Sequence, residues 1–294
     1  MILHEPVLPA ETVEQLAPAG RGLILDCTVG TGGHTDALCL AGATRVLGID
    51  RDAEVLPLAR KRLTPWLDRV ELVHSDYRDL DTVLDARGIE TIDGALADLG
   101  SSTIQLESEG RGFSFGRADP LDMRMDRSQG ATLGDLLDGV TPDALADVIY
   151  QYGEERHSRR IARSIVRARD NGILTTTAEL AAAVRRSIHY RGRFRIDPAT
   201  RTFQALRIWV NGELDGLDVF LKSVMNRLAA GARMVVISFH SLEDRIVKHT
   251  LRELEKSGAP VRVLTRKPLR PDADEVARNP RARSARLRVA EKVA

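Results

Sequence analysis

Short runs of apolar, β-branched residues alternate with amphipathic stretches through the first hundred positions of the chain. The runs near residues 23–28, 45–50, 70–74 and 92–98 predict strands, and the helical periodicity near 33–42, 52–64 and 79–87 predicts helices. Strands alternating with helices are joined by right-handed crossovers, so this rhythm predicts a parallel sheet. It breaks at residues 107–131, ESEGRGFSFGRADPLDMRMDRSQGA, where glycine, aspartate and arginine follow no period and predict a long loop. Only helical patterns follow, near 132–139, 142–170, 177–190 and 198–229, with Thr141 before Pro142 as a good helix start. A buried strand at 232–238, ARMVVIS, and a helix near 241–256 then resume the first pattern. The expected fold is a doubly wound α/β sheet with an inserted all-helical domain. Residues 1–106 and 214–294 would form the discontinuous α/β domain and 107–213 the insertion. The tail from residue 260 opens on a short strand. Its prolines and arginines otherwise read as a solvated basic tail or as a segment ordered on RNA.

With 43% apolar and 29% charged residues in 294, the composition is ordinary for a globular protein. Cys27 and Cys39 are the only cysteines and lack C-x-x-C spacing, which excludes a disulfide framework and a cysteine zinc site. The start, MILHEPVLPAE, has no signal-peptide pattern, and no apolar run reaches the roughly 18 residues of a membrane span. A soluble, cytoplasmic protein is expected. Net charge is only +1, but it is sorted along the chain. Residues 156–207 hold 13 arginines and no lysine against Asp170, Glu179 and Asp197, and residues 261–292 hold 10 basic against four acidic residues. An acidic body with two basic segments suits a polyanion such as nucleic acid.

The stretch LILDCTVGTGGHTDALCLAGATRVLGIDRD, residues 23–52, carries the candidate chemistry. Gly30, Gly32 and Gly33 follow the first strand and lead into a helix, where missing side chains and free N–H groups let a ligand approach the backbone. Asp50 closes the second strand, where a carboxylate can accept hydrogen bonds from ribose hydroxyls. The dinucleotide fingerprint needs a third glycine at position 35, where Thr35 stands. Asp26, just upstream, would repel a pyrophosphate but could hold the ammonium of a methionine moiety. These features favour S-adenosylmethionine, against a plain tight turn capped by Asp26 and Thr31. Asp76 and Tyr77 follow the third strand, either meeting an adenine or serving as a cap and a half-buried ring. Asp98 ends the fourth strand beside the expected methyl group. Gln105 completes S-x-x-Q from Ser102, a capping box or a cofactor contact.

The blocks HEPVL, DCTVGTGGHT, DLGSSTIQL, RGFSF, PLDMRMD, RTFQALRIWVNGEL, VISFHSLEDRIVK and NPRARSARLRVAEK run in order from His4 to Lys292. In them the chain resembles the bacterial 16S rRNA cytosine-N4 methyltransferases, the RsmH or MraW group. The resemblance implies a class I S-adenosylmethionine-dependent methyltransferase with a helical insertion. It would methylate N4 of a cytosine in the decoding centre, near the P site, of 16S rRNA in the small ribosomal subunit. It places cofactor contacts on Gly32, Gly33, His34, Asp50, Tyr77, Asp98 and Gln105. In DLGSSTIQL, Ser101, Thr103 and Ile104 depart from the family's Val, Ser and Pro, while Asp98 and Gln105 are kept.

Asp98 is the candidate catalytic group, as acceptor of the N4 proton or as cofactor anchor. Phe113, Phe115 and Phe239 are candidate walls for an unstacked base, or simple core. Arg159, Arg163 and Arg167 recur along one helix face, and Arg191, Arg193 and Arg195 interleave with Tyr190 and Phe194, both patterns that suit RNA. His240, Ser241 and Glu243 in SFHSLED match no metal or triad spacing, so no metal is expected. The competing readings are a methyltransferase for another RNA or DNA cytosine, a non-catalytic rRNA-binding assembly factor, and a nucleotide-dependent oxidoreductase. Thr35 and Asp26 disfavour the last.

Overall fold

A computed structural model describes residues 5–188 and 197–294 of the chain. Two compact units result, Met1–Ser102 with Leu214–Ala294, and Thr103–Glu213. The helix Thr103–Glu107 belongs to the second unit, which therefore begins slightly ahead of the expected boundary at residue 107.

The first unit is built on a seven-stranded sheet. Its strands are β1 (Leu23–Asp26), β2 (Arg45–Asp50), β3 (Val70–His74), β4 (Ile92–Asp98), β5 (Leu228–Ser238), β6 (Val261–Val263) and β7 (Arg286–Lys292). They lie in the order β3-β2-β1-β4-β5-β7-β6. Strands β1 to β5 pair in parallel, and β7 runs antiparallel to both β5 and β6.

Successive residues of the central strands fall into two separate apolar clusters. Leu25, Leu47, Ala95, Met234 and Val236 pack with Leu84, Phe220, Leu221 and Leu251 on one face. Ile24, Val46, Leu96, Val235 and Ile237 pack with Leu16, Leu38 and Leu63 on the other. A sheet covered on both faces takes apolar residues at every position, hence the unbroken apolar runs in the sequence.

Two expected helices are each divided in two. The stretch 142–170 becomes Pro142–Gly153 and Ser158–Asp170, separated at Glu154, whose φ of 48° lies in the left-handed region. The stretch 198–229 becomes Ala199–Asn211, in the second unit, and Leu217–Arg227, in the first. Gly212, at φ 55°, caps the former by donating its N–H to the Ile208 carbonyl. Apolar periodicity continues across both breaks, so only the left-handed residues mark them. The helix Pro9–Leu16 lies within a stretch where the pattern predicts no element.

The tail requires a larger correction. Instead of a solvated basic segment, its last strand, β7, lies inside the sheet between β5 and β6, with Leu287, Val289 and Ala290 buried. Arginine in RLRVAEK suggests a water-facing segment, but Arg288 is 5% exposed and donates from Nε to Asp244 Oδ1 at 2.6 Å. Arg286 donates to the other oxygen of the same carboxylate at 2.8 Å. Glu291 accepts from Arg233 on β5 and Arg262 on β6, tying three strands together. No described helix is long and apolar enough to cross a membrane.

Removing one partner from a buried ion pair strands the other charge, at a cost of about 3–5 kcal/mol. Asp244→Ala is expected to lose stability in that range in denaturant unfolding, and a loss under about 1 kcal/mol would contradict this role. Burial raises the Asp244 pKa, but the hydrogen bond and charge of Arg288, with those of Arg286, outweigh it and hold the pKa below its ordinary 3.8. The contribution is thus present above pH 3.8 and lost as pH falls through the lowered folded-state value.

Candidate active site

Burial on both faces leaves the carboxyl ends of the strands as the places where the sheet can present polar groups. Strand order reverses at β1 and β4, a topological switch point where ligands of open α/β sheets bind. Asp26, Asp50 and Asp98 end β1, β2 and β4, the three strands around that point.

Asp26 has no exposed surface, and both of its oxygens serve the loop that follows. Oδ2 accepts from the Thr35 hydroxyl at 2.7 Å and Oδ1 from the Thr28 N–H at 3.2 Å. Thr35 occupies the position of the missing third glycine, so the two residues that argue against a dinucleotide form a single hydrogen bond. In the structure Asp26 fastens the turn. Burial pushes its pKa up, against the lowering effects of Thr35, His34 and Thr28.

Gly30 and Gly32 have φ values of 51° and 82°, conformations that favour glycine. A side chain on Gly32 would also press on Leu63, with a Cβ 3.0 Å from its Cδ1. The Gly30 N–H donates to Asp50 Oδ2 at 2.7 Å, and the Asp52 N–H to Asp50 Oδ1 at 2.9 Å. Each oxygen keeps a lone pair for further donors. Burial raises the Asp50 pKa to about 6, opposed by these two hydrogen bonds and aided by the charges of Asp52 and Asp26.

His34 lies one residue inside the helix Gly33–Leu40 and is 6% exposed, with Nε2 3.5 Å from Asp98 Oδ2. Among the described residues, neither ring nitrogen of His34, nor Asp98 Oδ1, nor the Thr31 hydroxyl has a hydrogen-bond partner. Buried polar atoms are ordinarily paired, so this group suits a ligand that brings its own donors and acceptors. Three carboxylates around one turn also suit positive charge and hydroxyls, and disfavour a pyrophosphate. Thr28, which the sequence did not single out, holds Asp98 in place by accepting its backbone N–H at 2.7 Å.

Beyond β3, the Tyr77 ring lies against Phe220, with centroids 4.5 Å apart and planes at 49°. Phe220 is distant in sequence and gave no signal. Asp76, expected at an adenine amino group, accepts instead from Arg78 Nε at 2.9 Å and Nη2 at 2.6 Å and caps the Arg78 N–H. Burial raises its pKa, but the Arg78 hydrogen bonds and the charge of Arg51 outweigh that and lower it. The cap reading of Asp76 therefore describes its contacts. The Phe239 ring packs 3.3 Å from where a side chain on Gly100 would begin. His240 and Glu243 form a capping box at the start of the helix Ser241–Lys256.

In the second unit, Gln105 is buried on the helix Thr103–Glu107. Phe113 is 6% exposed, and Phe115 packs edge-on against Phe203 at 5.2 Å, both in keeping with core. Arg159, Arg163 and Arg167 are exposed along the helix Ser158–Asp170. Arg191, Arg193 and Arg195 lie outside the described residues.

Five parallel strands completed by an antiparallel β7, with a glycine turn after β1 and carboxylates after β2 and β4, define a class I S-adenosylmethionine-dependent methyltransferase. The model of the MraW methylase family matches residues 1–293, and the chain belongs to that family. The ribosomal RNA small subunit methyltransferase H of Sorangium cellulosum (strain So ce56) is 49% identical over 290 residues, covering 99% of this chain and 91% of that one. The protein of the same name from Thermotoga neapolitana is 49% identical over 295 residues, covering 99% and 96%.

Thr35→Val keeps the shape of the side chain but removes the donor to Asp26. It is expected to destabilise the protein by about 1–3 kcal/mol, while Thr35→Ser stays near wild type. Equal unfolding midpoints for the two variants would show that the hydroxyl does not fasten the turn.

Proposed function

We propose that the protein transfers the methyl group of S-adenosylmethionine to N4 of a cytosine in the decoding centre of 16S rRNA, in the cytoplasm. The observation that carries this reading is Asp98 Oδ1, a buried acceptor without a partner at the end of β4. The names of the two relatives support the small-subunit rRNA as substrate. The resemblance in DLGSSTIQL supports N4 of cytosine as the acceptor.

In this reading Asp50 accepts the ribose hydroxyls, Tyr77 flanks the adenine, and the backbone at Gly30, Gly32 and Gly33 lies close to the methionine part. His34, Asp98 and Gln105 supply the remaining cofactor contacts, with Asp26 and Asp76 holding the loops behind them. When bound, the cofactor supplies a methyl carbon on a sulfonium, which leaves as a neutral thioether. The N4 lone pair is delocalised into the cytosine ring, so N4 is a weak nucleophile and positioning supplies much of the acceleration. As the N–C bond forms, N4 becomes cationic and must lose a proton. Asp98 accepts it, with the His34 ring beside its carboxylate, Nε2 3.5 Å from Oδ2. Arg163 and Arg167, with Arg191, Arg193 and Arg195, supply positive charge for the RNA backbone.

The reading is tested by incubating small subunits from a strain lacking the protein with labelled S-adenosylmethionine, then mapping the labelled nucleotide. One N4-methylcytosine in the decoding centre is expected. Label elsewhere, or none, would contradict the reading. Asp98→Asn is expected to lower turnover by roughly 100-fold or more. Full turnover with unchanged cofactor affinity would remove Asp98 from both roles.

Protonation of Asp50 takes acceptors away from the ribose, so cofactor binding favours the ionised form. Its folded-state pKa of about 6 lies above the ordinary 3.8, so the protonated form favours the cofactor-free fold and that advantage is lost as pH rises through 6. Cofactor affinity should therefore be flat above pH 7 and fall towards about tenfold per unit below pH 6. Calorimetric titration across pH 5–8 checks this, with Asp50→Asn expected to bind weakly and without the pH dependence.

A further inference from the structure

Within the second unit, the helices Ser158–Asp170 and Thr177–Ser187 line an open cavity of about 520 Å³. It is lined by Arg160, Arg163 and Arg167 from the first helix and Arg186 from the second, with Ser164, Asn171 and Ile173 among its other walls. We infer that this cavity is a phosphate-binding site that grips the backbone of the substrate RNA, an inference that rests on the rRNA substrate proposed above.

The arginines of this unit divide into two kinds. Arg169 donates to the carbonyls of Leu137 and Val140 and pairs with Asp170, so it joins one helix to the end of another. Arg185 pairs with Asp197 at 2.7 Å, and Arg207 pairs with the buried Glu213 at 2.8 Å. These guanidiniums are structural. Arg160, Arg163, Arg167 and Arg186 form no ion pair among the described residues, and all four face one cavity with no carboxylate in its lining. Arg163 donates from Nε to the Arg159 carbonyl at 3.1 Å, which orients its side chain along the helix.

Four like charges gathered without counter-charge repel one another, and an anion between them relieves the repulsion. The cavity runs along the first helix from Arg160, in its first turn, to Asn171 just past its end, and meets the second helix at Arg186 in its last turn, where the helix dipole favours a cation. Arg160 and Arg167 are seven residues apart, about 10.5 Å along the helix, which is room for more than one phosphate. Guanidiniums grip phosphate oxygens in pairs, and Ser164 and Asn171 offer neutral hydrogen-bonding groups beside them. Ile173, 50% exposed, adds an apolar wall suited to the face of a sugar or base. A single small anion would meet only some of these groups, whereas a run of phosphates reaches arginines along the whole first helix.

The sequence pattern joined Arg159 with Arg163 and Arg167. The cavity replaces Arg159 with Arg160 and adds Arg186 from the second helix.

The test measures binding to unmethylated small subunits across salt concentrations. Neutralising one guanidinium that holds a phosphate should reduce the log–log salt slope by about 0.7 and weaken binding by about fourfold at 0.15 M salt. A variant combining Arg160→Gln, Arg163→Gln and Arg167→Gln is therefore expected to bind roughly 50-fold more weakly, with a slope lower by about 2. Cofactor affinity should be unchanged. Arg159→Gln serves as the control and should have little effect.

A second arm uses Ile173→Cys labelled with a photocrosslinker, feasible because native Cys27 and Cys39 are buried. Crosslinks to rRNA are expected, and crosslinks confined to a ribosomal protein would assign the cavity to an acidic protein surface and overturn the inference. A triple variant with wild-type affinity and slope, or an Arg159→Gln variant as weak as Arg163→Gln, would also overturn it while leaving the rRNA substrate intact. Wild-type protein that neither binds nor methylates small subunits would overturn both.

Discussion

The covering of both sheet faces is the constraint from which the site follows. The strands β1, β2 and β4, pressed between two apolar layers, have no position in their middle where a carboxylate could stay solvated. Their carboxylates are therefore confined to the strand ends, and the reversal of strand order gathers three such ends around one crevice. The three carboxylates then differ by their neighbours. Asp26 is enclosed and fastens the turn, Asp50 is half-buried and keeps free lone pairs, and Asp98 has an oxygen without a partner. The neighbours at each strand end thus set how many lone pairs an aspartate leaves for a ligand.

Where sequence and structure agree, the signal is local. Strands β1 to β4 are short apolar runs bounded by glycine or aspartate, and the long helix of the last third announces itself by period and length. The two helix breaks were lost because the apolar stripe continues through them, while a left-handed Glu154 or Gly212 affects only a single residue. Strand β7 was lost for a different reason. Its arginines argue for water only until Asp244, far away in sequence, is known to meet Arg288. The same distance hides Phe220 behind Tyr77 and Thr28 behind Asp98. At the site, residue types and spacing singled out the glycine turn, where the Gly30 N–H meets Asp50. They did not show that Thr35 and Asp26 bond to each other, nor that Arg78 occupies Asp76.

Arginine in this chain has no single meaning. Arg288 is a buried structural cation, Arg169 and Arg185 join elements of the helical unit, and Arg160 and Arg163 face an open cavity with no carboxylate. The distinction rests on partners, which a count of charges along the chain cannot supply.

The place of β7 also bears on how the sheet unit is assembled. In the sheet β6 pairs only with β7, and β7 is the last of the seven strands along the chain. Until β7 arrives, β5 keeps an open edge and β6 has no neighbour, so the sheet cannot grow outward strand by strand in the order of synthesis. Completing the sheet therefore takes a long-range antiparallel pairing, a kind of contact that forms slowly, and before it forms β5 presents an unpaired strand edge. The charged pairs on β7, Arg288 with Asp244 and Glu291 with Arg233 and Arg262, then act as register marks for that late strand, since a slip by one residue would separate every pair.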